Sequence, residues 1–255
     1  MKTIIRILLV GVIALFVVSE ASAKRKKPNL VLILTDDQGY ADVGFNGSTE
    51  IKTPNIDRIA YEGVRFDSGY VSFPVCGPSR AGLLTGRYQD RFGFILNPSP
   101  DPKDKKGGLP KGEKNIAEVL KPAGYRSAIL GKWHMGSHPI FHPNRRGFDY
   151  FFGFLTGGHK YFPHALKYNS VEETLRKWDW YSTRILRNNK RIDIDEYLTD
   201  EISNEAVAFI KREKKKPFFL YVAYNAPHGP LQATEKYRKR YSHIKNKKRR
   251  TYAAM

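Results

Sequence analysis

The apolar positions of this chain gather into three nearly uninterrupted runs, and each run stops at polar or charged side chains. Asn29 to Leu34 leads into Asp36-Asp37, Tyr125 to Leu130 into Gly131-Lys132-Trp133-His134, and Phe218 to Tyr224 into Asn225-Ala226-Pro227-His228. Short runs of Leu, Val, Ile and Phe without alternation predict strands of a parallel sheet covered on both faces. Between them the spacing changes. Thr53 is placed to cap a helix that begins at Pro54, turns Ile56, Ile59 and Ala60 to one face and stops at Gly63. Asn115 and Glu118 have capping-box spacing, and the helix they open should end before Pro122-Ala123-Gly124. Thr199 opens a further helix with Ile202, Ala206, Phe209 and Ile210 on its apolar face; Lys211 to Lys216 at its end suit the helix dipole. Val64 to Val71 reads as another strand, and Asn97 to Gly112, rich in Pro, Gly and Lys, as a surface loop.

Strands and helices in this order predict an α/β fold with a mostly parallel central sheet flanked by helices. In a doubly wound sheet the carboxyl ends of the strands share one edge, so Asp36 and Asp37, Lys132 with His134, and His228 can converge there. Adjacent carboxylates repel unless a cation lies between them, which points to a hard divalent ion. Taken alone, Asp36-Asp37 before Gln38-Gly39 is also an ordinary turn, and Lys132, His134 and His228 are ordinary surface, satisfied and loop residues.

The only cysteine adds a second focus. In Pro74 to Gly86, P-V-C-G-P-S-R-A-G-L-L-T-G, Gly77 and Pro78 fit the start of a helix that Ala81, Leu83 and Leu84 continue. Cys76 therefore falls at the positive helix end, where free backbone N–H groups and Arg80, about one turn on, favour an anion. A lone cysteine without that context reads as a small buried apolar side chain.

Composition narrows the class. With 255 residues, 41% hydrophobic and 13% aromatic, the chain has globular values and enough length for a large core. Its 44 Lys and Arg against 25 Asp and Glu leave a formal charge of +19, which favours acidic partners or is a solvated basic surface. Residues 1–23 read as a signal peptide: Lys2 and Arg6, an apolar run from Ile7 to Val18, and an Ala21-Ser22-Ala23 cleavage site. The run is short for a bilayer, so no stable membrane insertion is expected. Export to the periplasm or beyond makes sulfated or other anionic polymers better candidates than nucleic acid. A single cysteine rules out an internal disulfide, and an unpaired thiol in an exported chain marks a reactive or modified residue.

The segment around Cys76 resembles the first signature of the sulfatase family, C-x-P-x-R followed by an apolar pair and T-G. Gly124 to His134, G-Y-R-S-A-I-L-G-K-W-H, matches the second signature, while T-D-D-Q at 35–38 and A-P-H at 226–228 resemble further sulfatase positions. The resemblance runs over residues 28–255 and implies an alkaline-phosphatase-like sheet. It implies a sulfuric-ester hydrolase acting on a sulfated sugar or aryl compound, small molecule or polysaccharide. Cys76 would be oxidised to formylglycine by a maturation enzyme, and the hydrate of that aldehyde would be the nucleophile. By the same resemblance Arg80 steadies the hydrate, His134 hydrogen-bonds it, Lys132 contacts the sulfate, and His228 is an acid or sulfate ligand. Asp36, Asp37 and the hydrate on Cys76 would bind one Ca2+.

Sulfatases complete that metal site with a downstream Asp-Asn pair and add a second lysine. Nothing in this sequence matches either, so residues 24–255 read as the N-terminal portion of a catalytic domain whose C-terminal part is missing. Two alternatives stay open: a phosphate or phosphonate monoester hydrolase of the same superfamily, and a non-catalytic polyanion-binding remnant. Asn144 to Phe154 reads as packing. Trp178, Asp179, Trp180 and Tyr181 fit either a sugar subsite or a buried loop, and carry no assigned role.

Overall fold

A computed structural model describes residues 27–255, so the signal-peptide reading of residues 1–23 lies outside the described residues. Among these residues six strands form one sheet in the order β1-β6-β2-β3-β4-β5. They are β1 Leu30–Asp36, β2 Arg126–Lys132, β3 Tyr150–Phe154, β4 Ile185–Arg187, β5 Lys190–Ile192 and β6 Phe218–Pro227. The β1–β6, β6–β2 and β2–β3 pairs are parallel, and β4 and β5 close one side antiparallel. This is the mostly parallel sheet expected from the three apolar runs, which become the adjacent strands β1, β6 and β2. The strands run slightly further than the runs, so that Asp36, Lys132 and Pro227 are their last residues. Just before Lys132, Gly131 pairs with Ala223 on one side and Gly153 on the other. A Cβ at Gly131 would lie 2.0 Å from the Ala223 carbonyl oxygen, so only glycine allows the backbones this approach, at φ 106°.

Among the described residues six α-helices, α1 Pro54–Glu62, α2 Cys76–Thr85, α3 Ile116–Leu120, α4 Leu198–Glu213, α5 Glu235–Arg238 and α6 Lys247–Ala254, accompany the sheet. On one face α4 buries Leu198, Ile202, Ala206 and Phe209 against Ala128, Leu130, Phe152 and Leu220. Ile210 departs from the expected stripe and is exposed, because it lies about 100° further round the helix than Phe209. On the other face Ala81 and Leu84 of α2 join Ile129, Trp133, Phe151 and Phe219; Leu83 points to solvent instead. The capping box forms as read: Asn115 Oδ1 accepts from the N–H of Ala117 and Glu118, and Glu118 Oε2 accepts from the N–H of Asn115.

Four further expectations need correction. β1 is an edge strand, with Leu30, Leu32 and Leu34 packed on the core but Val31 and Ile33 exposed, so it is not covered on both faces. α1 buries no residue, and Ile56 and Ile59 face outward. Val64 to Val71 is not a strand: the turn residues Asp67-Ser68-Gly69 interrupt it, with Gly69 N–H donating to the Phe66 carbonyl at 3.3 Å. Finally, the loop from 97 to 112 folds partly inward, burying Leu109, whose N–H donates to the Met135 carbonyl. The packing role of Asn144 to Phe154 holds, since Phe148, Phe151, Phe152 and Phe154 are buried, although its second half is also the strand β3. No helix among the described residues is long and apolar enough to cross a membrane.

Candidate active site

Cys76 is the first residue of α2, and the helix start lies at the carboxyl edge of the sheet between two clefts. One cleft, about 300 Å³, is lined by Asp36, Asp37, Ser79 and Arg80 beside Cys76. The other, about 340 Å³, brings Cys76 together with Asn97, His134, Trp180, Tyr181 and His228. Six of the seven residues singled out in the sequence line these two clefts, and the seventh, Lys132, lies behind them against Asp36.

The geometry on the acid side is set by buried charge. Asp36 ends β1 and accepts a hydrogen bond from Lys132 Nζ, while Arg80 Nη2 lies 3.6 Å away. Arg80 also donates to the Lys132 carbonyl at 2.9 Å and to the Tyr221 hydroxyl at 3.1 Å. Two cations at one carboxylate offset the desolvation that an isolated buried charge would suffer. Burial lowers the Lys132 pKa, and the Arg80 charge lowers it further, against the pull of Asp36. Asp37 turns away into solvent at φ 63°, and its carboxylate lies 3.7 Å from His228 Nε2. The two carboxylates therefore face different partners, rather than opposing each other as the sequence suggested.

On the other side His134 is buried, with a pKa well below the usual histidine value because of burial and then the Lys132, Arg80 and His228 charges. Its Nδ1 has no hydrogen-bond partner, an unusual state for a buried polar atom. His228 Nδ1 lies 2.7 Å from the Gly229 carbonyl; that oxygen only accepts, so Nδ1 carries a proton. The helix start itself is less open than expected. Asn97 Oδ1 accepts from the Gly77 N–H at 2.9 Å and from the Cys76 thiol at 3.6 Å, and Pro78 has no N–H to offer.

Several site residues were not visible in the sequence. Asn97 was read as part of a surface loop, and Tyr221 as one apolar position of a strand. Gly157 has a steric role, because a Cβ there would lie 2.6 Å from His134 Nε2. Trp178, Trp180 and Tyr181 line the cleft at Cys76, and Trp178 is 54% exposed, so the buried-loop reading does not hold for it.

Fold and site together define an alkaline-phosphatase-like α/β protein with cationic, imidazole and carboxylate groups gathered at the carboxyl edge of its sheet. The chain belongs to the Sulfatase family, whose model matches residues 28–255. N-acetylgalactosamine-6-sulfatase of Mus musculus is 38% identical over 229 residues, covering 85% of this chain and 43% of that enzyme. The crystal structure of Ps i-CgsB superposes with a TM-score of 0.83 at 47% identity, over 90% of this chain and 52% of that one. Its complex with k-i-k-neocarrahexaose gives 0.82 at 45% identity, over 90% and 52%. The chain thus spans less than half of the curated relative and about half of the solved one.

Proposed function

We propose that this chain is the nucleophile-bearing part of a sulfuric-ester hydrolase that removes sulfate from a sulfated saccharide. The observation that carries the reading is the meeting of Cys76, Arg80, Lys132, His134 and His228 with two carboxylates around one helix start. A relative solved with a neocarrahexaose supports a saccharide substrate. The leader-like residues 1–23 fit export, where such polymers occur.

Formylglycine at position 76, made by a dedicated maturation enzyme, supplies a hydroxyl nucleophile that regenerates after each turnover. The residues present fit that group: buried His134 lines the same cleft as Cys76, and its Nδ1 has no hydrogen-bond partner within the chain. Arg80 and Lys132 place two positive charges beside Cys76, where negative charge gathers on a transferring sulfuryl group. Being buried and already held by Asp36 and Tyr221, they need little rearrangement to do so. His134 acts as a neutral imidazole. His228 keeps its Nδ1–H on the Gly229 carbonyl, and in the imidazolium form, with the Asp37 carboxylate 3.7 Å from Nε2, its Nε2–H gives the proton to the departing alcohol oxygen and leaves the neutral imidazole.

Calcium fits in part. Asp36 and Asp37 offer the hard oxygen ligands it takes, but among the described residues no cluster of three His, Cys, Asp or Glu is present. To hold one side of the ion, Asp36 and Asp37 would have to turn from Lys132 and His228 towards a common point; the ion would then supply Lewis-acid stabilisation of the sulfate oxygens. Peptide mass spectrometry after production beside a formylglycine-generating enzyme tests the nucleophile. The expected result is an aldehyde at position 76; a peptide carrying only thiol would sink the proposal.

A further inference from the structure

The wall of the Cys76 cleft away from the acids is aromatic. Trp180 and Tyr181 are stacked with ring centroids 4.3 Å apart, and Trp178 lies 5.7 Å from Trp180 and 5.8 Å from Tyr181. Trp178 and Tyr181 also line a second cleft, of about 290 Å³, together with Lys160 and Pro230. The two rings therefore form a ridge shared by two clefts, one holding Cys76 and His134, the other holding a lysine.

A ridge of this kind is poorly explained as packing. More than half of the Trp178 surface is in solvent, against the tendency of a large apolar ring to be buried. Its backbone is left-handed at φ 76°, uncommon for a bulky residue. The loop fixes it there: Asp179 accepts from the Arg176 N–H at 3.1 Å and the Tyr168 hydroxyl at 3.3 Å, and Tyr181 N–H donates to the Trp178 carbonyl at 3.0 Å. Behind the ridge, Gly158 makes room for Tyr181, since a Cβ would lie 2.3 Å from its ring. Cations stand on the outer side. Lys160 lines the second cleft, and Lys177 Nζ lies 5.2 Å from the Trp178 ring centroid.

We propose that this ridge is a saccharide subsite. The sugar carrying the scissile sulfate occupies the Cys76 cleft, and the neighbouring sugar crosses Trp178 and Tyr181 into the second cleft. Aromatic faces suit the apolar faces of sugar rings, while Lys160 and Lys177 meet a second anionic substituent. The preferred substrate is then a sulfated oligosaccharide of at least two sugars carrying more than one negative charge. The inference rests on the sulfatase reading for the first cleft and adds the second cleft to it.

Calorimetry on the Cys76→Ala chain separates the two, because this variant binds without turnover. The probes are inorganic sulfate, a neocarrahexaose and a hexasaccharide containing 6-sulfated N-acetylgalactosamine. At least one saccharide should bind about tenfold or more tighter than sulfate, the scale of one good aromatic contact. Trp178→Ala should cut that saccharide-to-sulfate preference at least about fivefold, and Trp178→Phe, which keeps a ring, should restore most of it. Lys160→Gln should lower the preference at low salt and have little effect at high salt. If sulfate binds and no saccharide binds tighter, or if Trp178→Ala leaves the preference unchanged, the subsite is wrong while the sulfate site stands. If neither sulfate nor saccharide binds, the reading of the first cleft fails and takes the subsite with it.

Discussion

At the sheet edge Lys132 and Arg80 both face the buried Asp36, leaving one positive charge in excess, and Arg80 is further tied to Tyr221. His134 sits beside this group, and its orientation depends on a residue with no side chain. Gly157→Ala would place a methyl group 2.6 Å from His134 Nε2 and push the imidazole out of place. The expected outcome is a fall in kcat of about tenfold or more with KM little changed, as for a group that acts mainly in the transition state. A change in KM alone would show that His134 serves binding instead. The signature residues were legible because each sits at fixed spacing from a strand or helix end. Asn97 and Tyr221 were not, because their contacts to Cys76 and Arg80 span 21 and 141 residues of sequence.

At the level of elements, β1, β2 and β6 were legible as apolar runs, and α3 and α4 through capping chemistry and helical spacing. β3 was hidden because its aromatic residues and Gly153 read equally as loop packing, and Val64 to Val71 misled because its apolar content masked a turn. Exposure of Ile33 and Ile59 was likewise invisible, since an apolar residue in the sequence does not reveal whether a partner covers it. The α3 cap is a testable element: Asn115 is buried and also donates to the Arg146 carbonyl, so Asn115→Ala should cost about 1–2 kcal/mol by denaturant titration. A loss near zero would show that the cap contributes nothing.

Two buried histidines make a second test. Burial is the main cause that lowers His142 and His159 to about 4. Their folded values lie below the ordinary value near 6.5, so the unfolded chain takes up protons first as pH falls. Their stabilising contribution is complete above about 6.5 and is lost as pH drops towards 4, by about 1–2 kcal/mol per histidine at pH 5. Denaturation midpoints measured from pH 7 to 5 should therefore decline. A flat profile would contradict the assignment of neutral buried imidazoles.

For the whole molecule, part of the basic segment at 247–254 is paired internally with acids near the start of the fold. Arg249 of α6 bonds Asp42 at 2.6 Å and Glu50 at 2.7 Å, and the Tyr252 hydroxyl donates to Asp42 while accepting from the Gly39 N–H. The basic end of the chain is thereby tied to the segment that follows Asp36 and Asp37. The donor count at that edge sets the expectation for metal. With two carboxylates available, these 255 residues should bind calcium weakly, with a Kd on the order of millimolar, and a chain extended through an Asp-Asn pair at least about tenfold tighter. Titration calorimetry on both chains checks this, and tight binding by the shorter one would overturn the donor argument. Hydrolysis of sulfate esters at the Cys76 edge is tested most directly by sulfate release. The extended chain, produced beside a formylglycine-generating enzyme, should release sulfate from an aryl sulfate and turn over the matching aryl phosphate far more slowly. Its Cys76→Ala variant should release none; undiminished release by that variant, or faster turnover of the phosphate, would contradict the account.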